Sequence, residues 1–365
     1  METEKYIPIV IGNCAPFRLV LRDTDKWSPT LNEINTLSYD YIKLNRNSTN
    51  VDIEIRPFSL IIGFDGSLIL PYMPPYNKIE TAVNLFNRFL GELLLGGIFS
   101  EAVIPDNVSF GHMIVEGYNY IDGGFNGLIS NFHQSIRLKE VSNLDAIKLL
   151  EPIKITTEEL TNSYEKGHKI FRRLNHISPN ILLEGVSHYV SSNWAQSLIL
   201  FWTNIEQLIN QIWEEKVIRP DMSKKRREFL SDFRTWTSAA KIETLLLTGC
   251  LNNETYDMLN TSRKTRNDFM HRTENISKVS VDVALKSLFQ LISLIDSDYA
   301  HTDIYGNILS MINNHQRGSL DEHTKARNKD VKYWKYLPPL PGHSSWGDKP
   351  FEIIDELQLK EIKHT

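Results

Sequence analysis

The sequence predicts an α+β protein in three parts: a mixed α/β domain over residues 1–150, an all-α bundle over 151–313 and an extended tail over 314–365. Alternating apolar residues and an Asp-Gly hairpin signal crowd the first part. Apolar residues at three- and four-residue spacing dominate the second, and prolines and glycines punctuate the last.

Residues 1 to about 75 read as β-rich. Val51, Ile53 and Ile55 alternate with Asp52, Glu54 and Arg56, which places the apolar side chains on one face of a strand. In SLIIGFDGSLIL, Asp65-Gly66 separates two apolar runs, and because both residues tolerate positive φ the stretch predicts a hairpin. Pro71, Pro74 and Pro75 end it, and IETAVNLFNRFLGELLLGGIF predicts an amphipathic helix stopped at Gly96-Gly97. From Val103 to Leu138 the pattern returns to strand and turn, punctuated at Gly123-Gly124 and Gly127. His112 and His133 stand singly and read as structural or merely exposed. Asp122-Gly-Gly reads as a turn, since neither GxxxxGK[ST] nor GxGxxG is present. The first part is therefore expected to sense, regulate or dock, not to catalyse.

The second part opens near Ser142. Behind the cap candidates Ser191-Ser192, Leu198, Phe201, Trp202, Ile205, Leu208, Ile209, Ile212 and Trp213 make one apolar face, with Glu206 at its edge. A basic stretch follows, with seven basic residues against three acids from Arg219 to Lys241. Lys224, Lys225, Arg226 and Arg227 are its centre, either a solvated helix face or a track for RNA phosphates. WTSAAKIETLLLTG predicts a helix ending at Gly249, with Glu243 inside its apolar stripe and so in want of a cationic or hydrogen-bonding partner. The next helix is expected to start at Asn252 or Asn253. On it Met258, Ser262, Thr265 and Phe269 share a sector, bordered by Leu259 and Met270, and Arg266 projects between them toward the core. Arg263, Asn267 and His271, four residues apart, form a polar stripe facing solvent, RNA or another subunit. After Ser277 or Ser280, VDVALKSLFQLISLI predicts a closing apolar helix. The tail is expected to pack through Trp334, Tyr336 and Trp346, or to serve as a partner-docking arm.

Composition narrows the function. A 365-residue chain with 41% hydrophobic residues can bury a normal core, and a net charge of -5 with a pI near 6.1 leaves nucleic-acid contact to a local patch. Cys14 and Cys250 lie in no CxxC motif, which argues against a disulfide framework or zinc knuckle and fits a reducing cytoplasm. Neither an export signal nor a membrane span is read. Clustered carboxylates and HxxxH pairs are missing, so neither metal nor cofactor is expected.

The chemistry gathers in RKTRNDFMHR, Arg263–Arg272. An arginine and an imidazole five residues apart on a helix suit phosphodiester cleavage, in which one group moves protons and the other holds phosphate oxygens. On an ideal helix Arg266 and His271 are about 140° apart, so one subunit need not bring both to one phosphate. Plainer roles exist: Arg266 can pin two helices by pairing with Glu243, and His271 can favour the helix C-terminus.

The ordered helices, KIETLL before a glycine stop and SRKTRNDFMH before a closing apolar helix resemble the HEPN superfamily, in particular its ApeA-type defence-associated group. The resemblance covers about Ser191 to Ile295. It implies a helical bundle that homodimerises so that two RxxxxH helices meet, and a metal-independent endoribonuclease used in toxicity or phage defence. Arg266 matches the motif arginine, Asn267 the polar residue after it and His271 the histidine. The family's acidic position falls on Glu243 first and Glu206 second, with Arg263 as a supporting phosphate contact or surface ion-pair member. Some HEPN toxins carry a tyrosine just after the histidine; here Arg272, Thr273 and Glu274 follow, which speaks against regulation at such a tyrosine. RNA is the expected substrate, with a phage-derived trigger or regulatory partner acting on the first domain. The alternative is a non-catalytic HEPN scaffold that dimerises or binds RNA.

Overall fold

The Asp-Gly turn forms the expected hairpin. In the computed structural model, which describes residues 6–317 apart from 115, 118, 125, 126, 273, 274, 297, 298 and 300–302, strand β4 (Leu60–Gly63) turns through Asp65 and Gly66 into β5 (Leu68–Pro71). Gly66 takes a φ of 80°, a conformation glycine adopts without penalty. The other strands are β1 (Tyr6–Gly12), β2 (Arg18–Leu21), β3 (Asn47–Val51), β6 (Val108–Ile114), β7 (Asn119–Gly124) and β8 (Ile153–Thr156). An antiparallel sheet runs β3-β4-β5-β1-β6-β7, and β2 pairs in parallel with β8. Val51, Ile53 and Ile55 are all buried, as their alternation predicts. The strand nevertheless stops at Val51, because Glu54 takes a φ of 64°, which no extended chain adopts.

The helices are α1 (Leu31–Asn35), α2 (Ile79–Leu95), α3 (Leu128–Leu138), α4 (Asn143–Ala146), α5 (Thr157–Phe171) and α6 (Pro179–Val190). They continue with α7 (Trp194–Lys216), α8 (Lys224–Ser231), α9 (Ser238–Leu247), α10 (Asn253–Arg272), α11 (Lys278–Ile295) and α12 (Ile304–Arg317). Helix α3 corrects the expectation of strand and turn up to Leu138. Its buried residues are Ser130, His133, Ile136 and Arg137, so the helical period is written mostly in polar side chains and escapes a reading based on apolar ones. Asp122-Gly-Gly closes β7 instead of forming a turn. Helix α7 starts at Trp194 behind Asn193, because Ser192 takes a φ of 59°.

Met1–Ile312 forms one compact unit, so the contacts do not divide at the expected boundary near residue 150. The pairing of β2 with β8 crosses that point, and α2 packs on both α5 and α6. The second half of α2 is buried all round (Phe89, Leu90, Leu93, Leu94, Leu95), as suits a helix with a sheet on one side and a bundle on the other. A single apolar core extends from Val10 and Leu70 in the sheet through Phe86 of α2 to Trp202 and Leu288 in the bundle. Where α2 meets α5, a Cβ at Gly167 would lie 1.7 Å from the Glu92 carbonyl oxygen, and one at Gly96 would lie 1.8 Å from that of Ser163. Glycine alone permits this crossing. Beside it Glu92, 1% exposed, accepts hydrogen bonds from Arg88 Nε (2.9 Å) and His168 Nδ1 (2.8 Å), which joins the two helices electrostatically as well.

A second unit is Asn313–Thr365; among its described residues it holds the last turn of α12. The tail contacts expected of Trp334, Tyr336 and Trp346 fall outside the described residues. Among the described residues no helix is long and apolar enough to cross a membrane.

Candidate functional site

Helix α10 runs antiparallel to α11. The Glu254 carboxylate pairs with Lys286 Nζ at 2.9 Å, and the Thr255 hydroxyl bonds Gln290 Oε1 at 3.1 Å. Counting back along α11 from these two ties sets its first residue, Lys278, level with Ser262 or Asn267 of α10. At 1.5 Å per residue, roughly 8–15 Å of α10 then extends past the start of its neighbour. Burial thins along it: Thr255, Leu259 and Ser262 are buried, Thr265 to Phe269 are partly buried, and Met270 to Arg272 are exposed.

His271 lies in this overhang, and Arg266 and Asn267 lie near its edge. Arg266, four residues after Ser262, continues the buried stripe and is itself partly exposed. Its Nη1 donates to Asn267 Oδ1 at 3.1 Å, and among the described residues it makes no ion pair. Asn267 thus holds the guanidinium by its edge. His271 is exposed, as is Met270 at 52%. Arg263 donates through Nε and Nη2 to Asn260 Oδ1, both at 3.3 Å, and so leans back along the helix. Arg266, expected to project toward the core, is partly buried; of its predicted sector Ser262 is buried and Met258, Thr265 and Phe269 are partly buried.

The supporting acids lie elsewhere. Glu243 is exposed, not desolvated, and accepts from the Tyr256 hydroxyl at 2.7 Å. That hydrogen bond, ahead of partial desolvation, raises the Tyr256 pKa. Glu206 is partly buried and accepts from Ser238 Oγ at 3.0 Å. Neither carboxylate reaches Arg266, so the expected ion pair between Glu243 and Arg266 is not made. Lys241, 8% exposed, donates to Asn210 Oδ1 at 2.8 Å; burial lowers its pKa, against the pull of Glu214 and Glu206.

Lys224, Lys225, Arg226 and Arg227 are all exposed on α8, whose start is capped by Ser223. They stand at the other end of the bundle from His271. The Trp213 indole donates to the Leu230 carbonyl at 3.0 Å, which ties α8 to the far end of α7. At the near end, Tyr189 bonds Asp282 and meets Trp194 edge-on, gathering the end of α6 with the starts of α7 and α11. Trp194 and Trp213 are nineteen residues apart, about 28 Å along the helix.

A charged cluster that the sequence reading missed lies in the sheet. Arg137 Nε and Nη2 donate to Asp65 Oδ2 (2.8 and 2.6 Å), Nη1 reaches both oxygens of Asp122 (2.9 and 2.8 Å), and Nη2 also reaches Asn13 and Ser67. The Tyr120 hydroxyl donates to Asp65 Oδ1 at 2.6 Å. Both ring nitrogens of His133 face oxygens, Asp65 Oδ2 at 2.8 Å and the Cys14 carbonyl at 3.0 Å. Burial alone would raise the Asp65 pKa; the charges of Arg137 and His133 and the bonds from His133 and Tyr120 outweigh it and hold the carboxyl well below the usual range. Burial prevails at Asp122, whose pKa is raised. The Cys14 thiol, buried nearby, is pushed up to about 12, which makes it a poor nucleophile. With side chains 0–3% exposed and their bonding capacity filled, this cluster locks the hairpin to α3. The sequence signal that remained was the spacing of His133 and Arg137, one helical turn apart.

Among the described residues no group of three or more His, Cys, Asp or Glu side chains is placed to hold a metal ion. In comparisons with known proteins, no family model, no curated protein and no solved structure matches this chain.

Proposed function

We propose that the chain is a metal-independent HEPN-type endoribonuclease whose site is completed by a second copy of α10. The observation that carries this reading is the state of the motif: His271 is exposed, Arg266 and Asn267 are partly exposed, and Arg266 has no carboxylate partner among the described residues. A partly buried guanidinium with no carboxylate partner among the described residues is suited to an anionic ligand, and an exposed imidazole on the same helix to moving protons. RNA supplies its own nucleophile, the 2′-hydroxyl. Neutral His271 would take the 2′-hydroxyl proton, and His271 of the second copy, protonated, would give one to the leaving 5′-oxygen. Arg266, steadied by Asn267, would hold the non-bridging oxygens as charge grows on the phosphorane. The products are then a 2′,3′-cyclic phosphate and a 5′-hydroxyl. The biological role proposed is that of a toxin or anti-phage effector in the cytoplasm, with the sheet region receiving a trigger.

Purified protein and the His271→Ala variant, incubated with total RNA in EDTA, test this. Wild type should cut, and the variant should lose 10²–10⁴-fold, the usual share of a general acid or base. Cutting by the variant at the wild-type rate, or an inert wild type, defeats the assignment. Light scattering should report a dimer; a monomer with RNA bound removes the composite site. One observation favours the second reading, a non-catalytic scaffold: Arg266 and His271 lie about 140° apart around α10, so a single chain presents them separately. A dimer that binds RNA without cutting it supports that reading instead.

A further inference from the structure

Helix α8 buries one of its eight residues, Leu230, so the core gives little reason for it to exist. Its other face is unusual in two ways. Lys225, Arg226 and Arg227 make no ion pair among the described residues, and Lys224 approaches Glu228 only at 3.9 Å in the open. Beside them stand two exposed rings, Phe229 at 55% and Phe233 at 74%. The Phe229 ring is fixed, because it meets Trp236 edge-on at 6.0 Å and Trp236 rests on buried Trp213 at 4.8 Å. Arg234 places its guanidinium 5.8 Å from the Phe233 ring. From Lys224 to Arg234 five basic residues face two acids, in a chain whose net charge is -5. One of those acids, Asp232, is already engaged by the Thr235 hydroxyl at 2.6 Å.

We infer that α8 and the turn after it form a platform for single-stranded RNA, in which phosphates meet Lys224–Arg227 and bases stack on Phe229 and Phe233. The inference rests on the ribonuclease reading for the choice of RNA and adds to it a second, separate contact. Charge complementarity selects a polyanion, and exposed rings beside the charges select one with free base faces, which a duplex does not offer. Since α8 lies at the opposite end of α7 from His271, a strand touching both in one protomer is several nucleotides long. The platform therefore holds substrate away from the reacting bond and contributes to KM, not to the chemical step.

The test uses the full chain carrying His271→Ala, to prevent cutting, and a fluorescent oligouridine of about twelve nucleotides, within the usual span of single-strand sites. Anisotropy should show binding that weakens as salt rises. Phe229→Ala with Phe233→Ala should weaken it about tenfold or more at an unchanged salt slope. Phe233→Ala alone, at a ring with no aromatic neighbour within the platform, should show part of that loss in a protein whose fold is undisturbed. Replacing Lys224, Lys225, Arg226 and Arg227 by glutamine should flatten the slope of log K against log salt by up to about 3. The inference is overturned if the oligomer does not bind, if these variants bind it as the parent does, or if duplex RNA or a polyglutamate peptide binds as tightly. The two readings separate cleanly. An inert wild type whose binding falls in the α8 variants ends the ribonuclease reading and keeps the platform; a wild type that cuts while those variants bind as the parent does the reverse.

Discussion

Two arginines meet opposite surroundings in this protein. Arg137, near the end of α3, is 3% exposed and donates to two carboxylates, an asparagine and a serine. Arg266, in the last two turns of α10, is partly exposed and among the described residues bonds the amide oxygen of the next residue. A guanidinium with its donors filled by the fold is a structural element; one left open is available to something outside it. The same residue type thus reports on architecture in one region and on recognition in the other.

The strongest way to break this comparison is Arg137→Ala. It leaves Asp65 and Asp122 buried without their shared cation, and urea unfolding should show a loss of about 3–5 kcal/mol. A loss below about 1 kcal/mol would place Arg137 in the same class as Arg266.

Acid sharpens the same point. Asp65 is held below its unfolded pKa, so its stabilisation is present above about pH 4 and is lost as pH falls further and the carboxyl protonates. Asp122, raised by burial, acts in the opposite sense. Comparing Asp65→Asn with wild type from pH 6 to pH 3 isolates the first effect. The variant's stability should fall less steeply below pH 4, by up to about 1.4 kcal/mol per pH unit, the limit for one proton.

A smaller effect is expected where Tyr256 meets Glu243. Tyr256→Phe should lower the thermal unfolding midpoint only slightly, since a single solvent-accessible hydrogen bond is lost. Glu243→Gln should leave any RNA cleavage within about twofold, since its carboxylate points to Tyr256 and not to Arg266. A cleavage loss of 10²-fold or more would return Glu243 to the catalytic group.

The smallest change in stability belongs to Arg266→Ala, within about 0.5 kcal/mol by thermal unfolding, because no buried partner is stranded. Any loss of cleavage in that variant is then a loss of chemistry and not of fold.

The sequence announced some of these features and hid others for physical reasons. The hairpin at Asp65-Gly66 was legible because its turn demands particular residues, and the stripe of α7 because eight large apolar residues repeat its period. The burial of Asp65 was not, since turns normally face water and its partners come from residues 120 to 137. On α10 the period was read correctly, but the sector was set by Met258 and Phe269, whereas the buried line is Thr255, Leu259 and Ser262. Period fixes which residues share a face, not how far a neighbouring helix extends to cover it. Glu243 shows the same gap: a short helix with one packed side leaves the edge of its apolar stripe in water. The pattern of the motif was visible throughout, and the graded exposure from Ser262 to His271 was not.

The crossing of α2 and α5 has a mechanical consequence. Packed side chains can slide by changing rotamers, but two backbones in direct apposition have no such slack. At Gly96 and Gly167 the sheet-bearing helix and the first helix of the bundle touch in this way, so they behave as a rivet, not a hinge. Any force applied to the sheet passes into the bundle as a displacement of the whole, and a single methyl group at either glycine would act as a wedge driven into the joint.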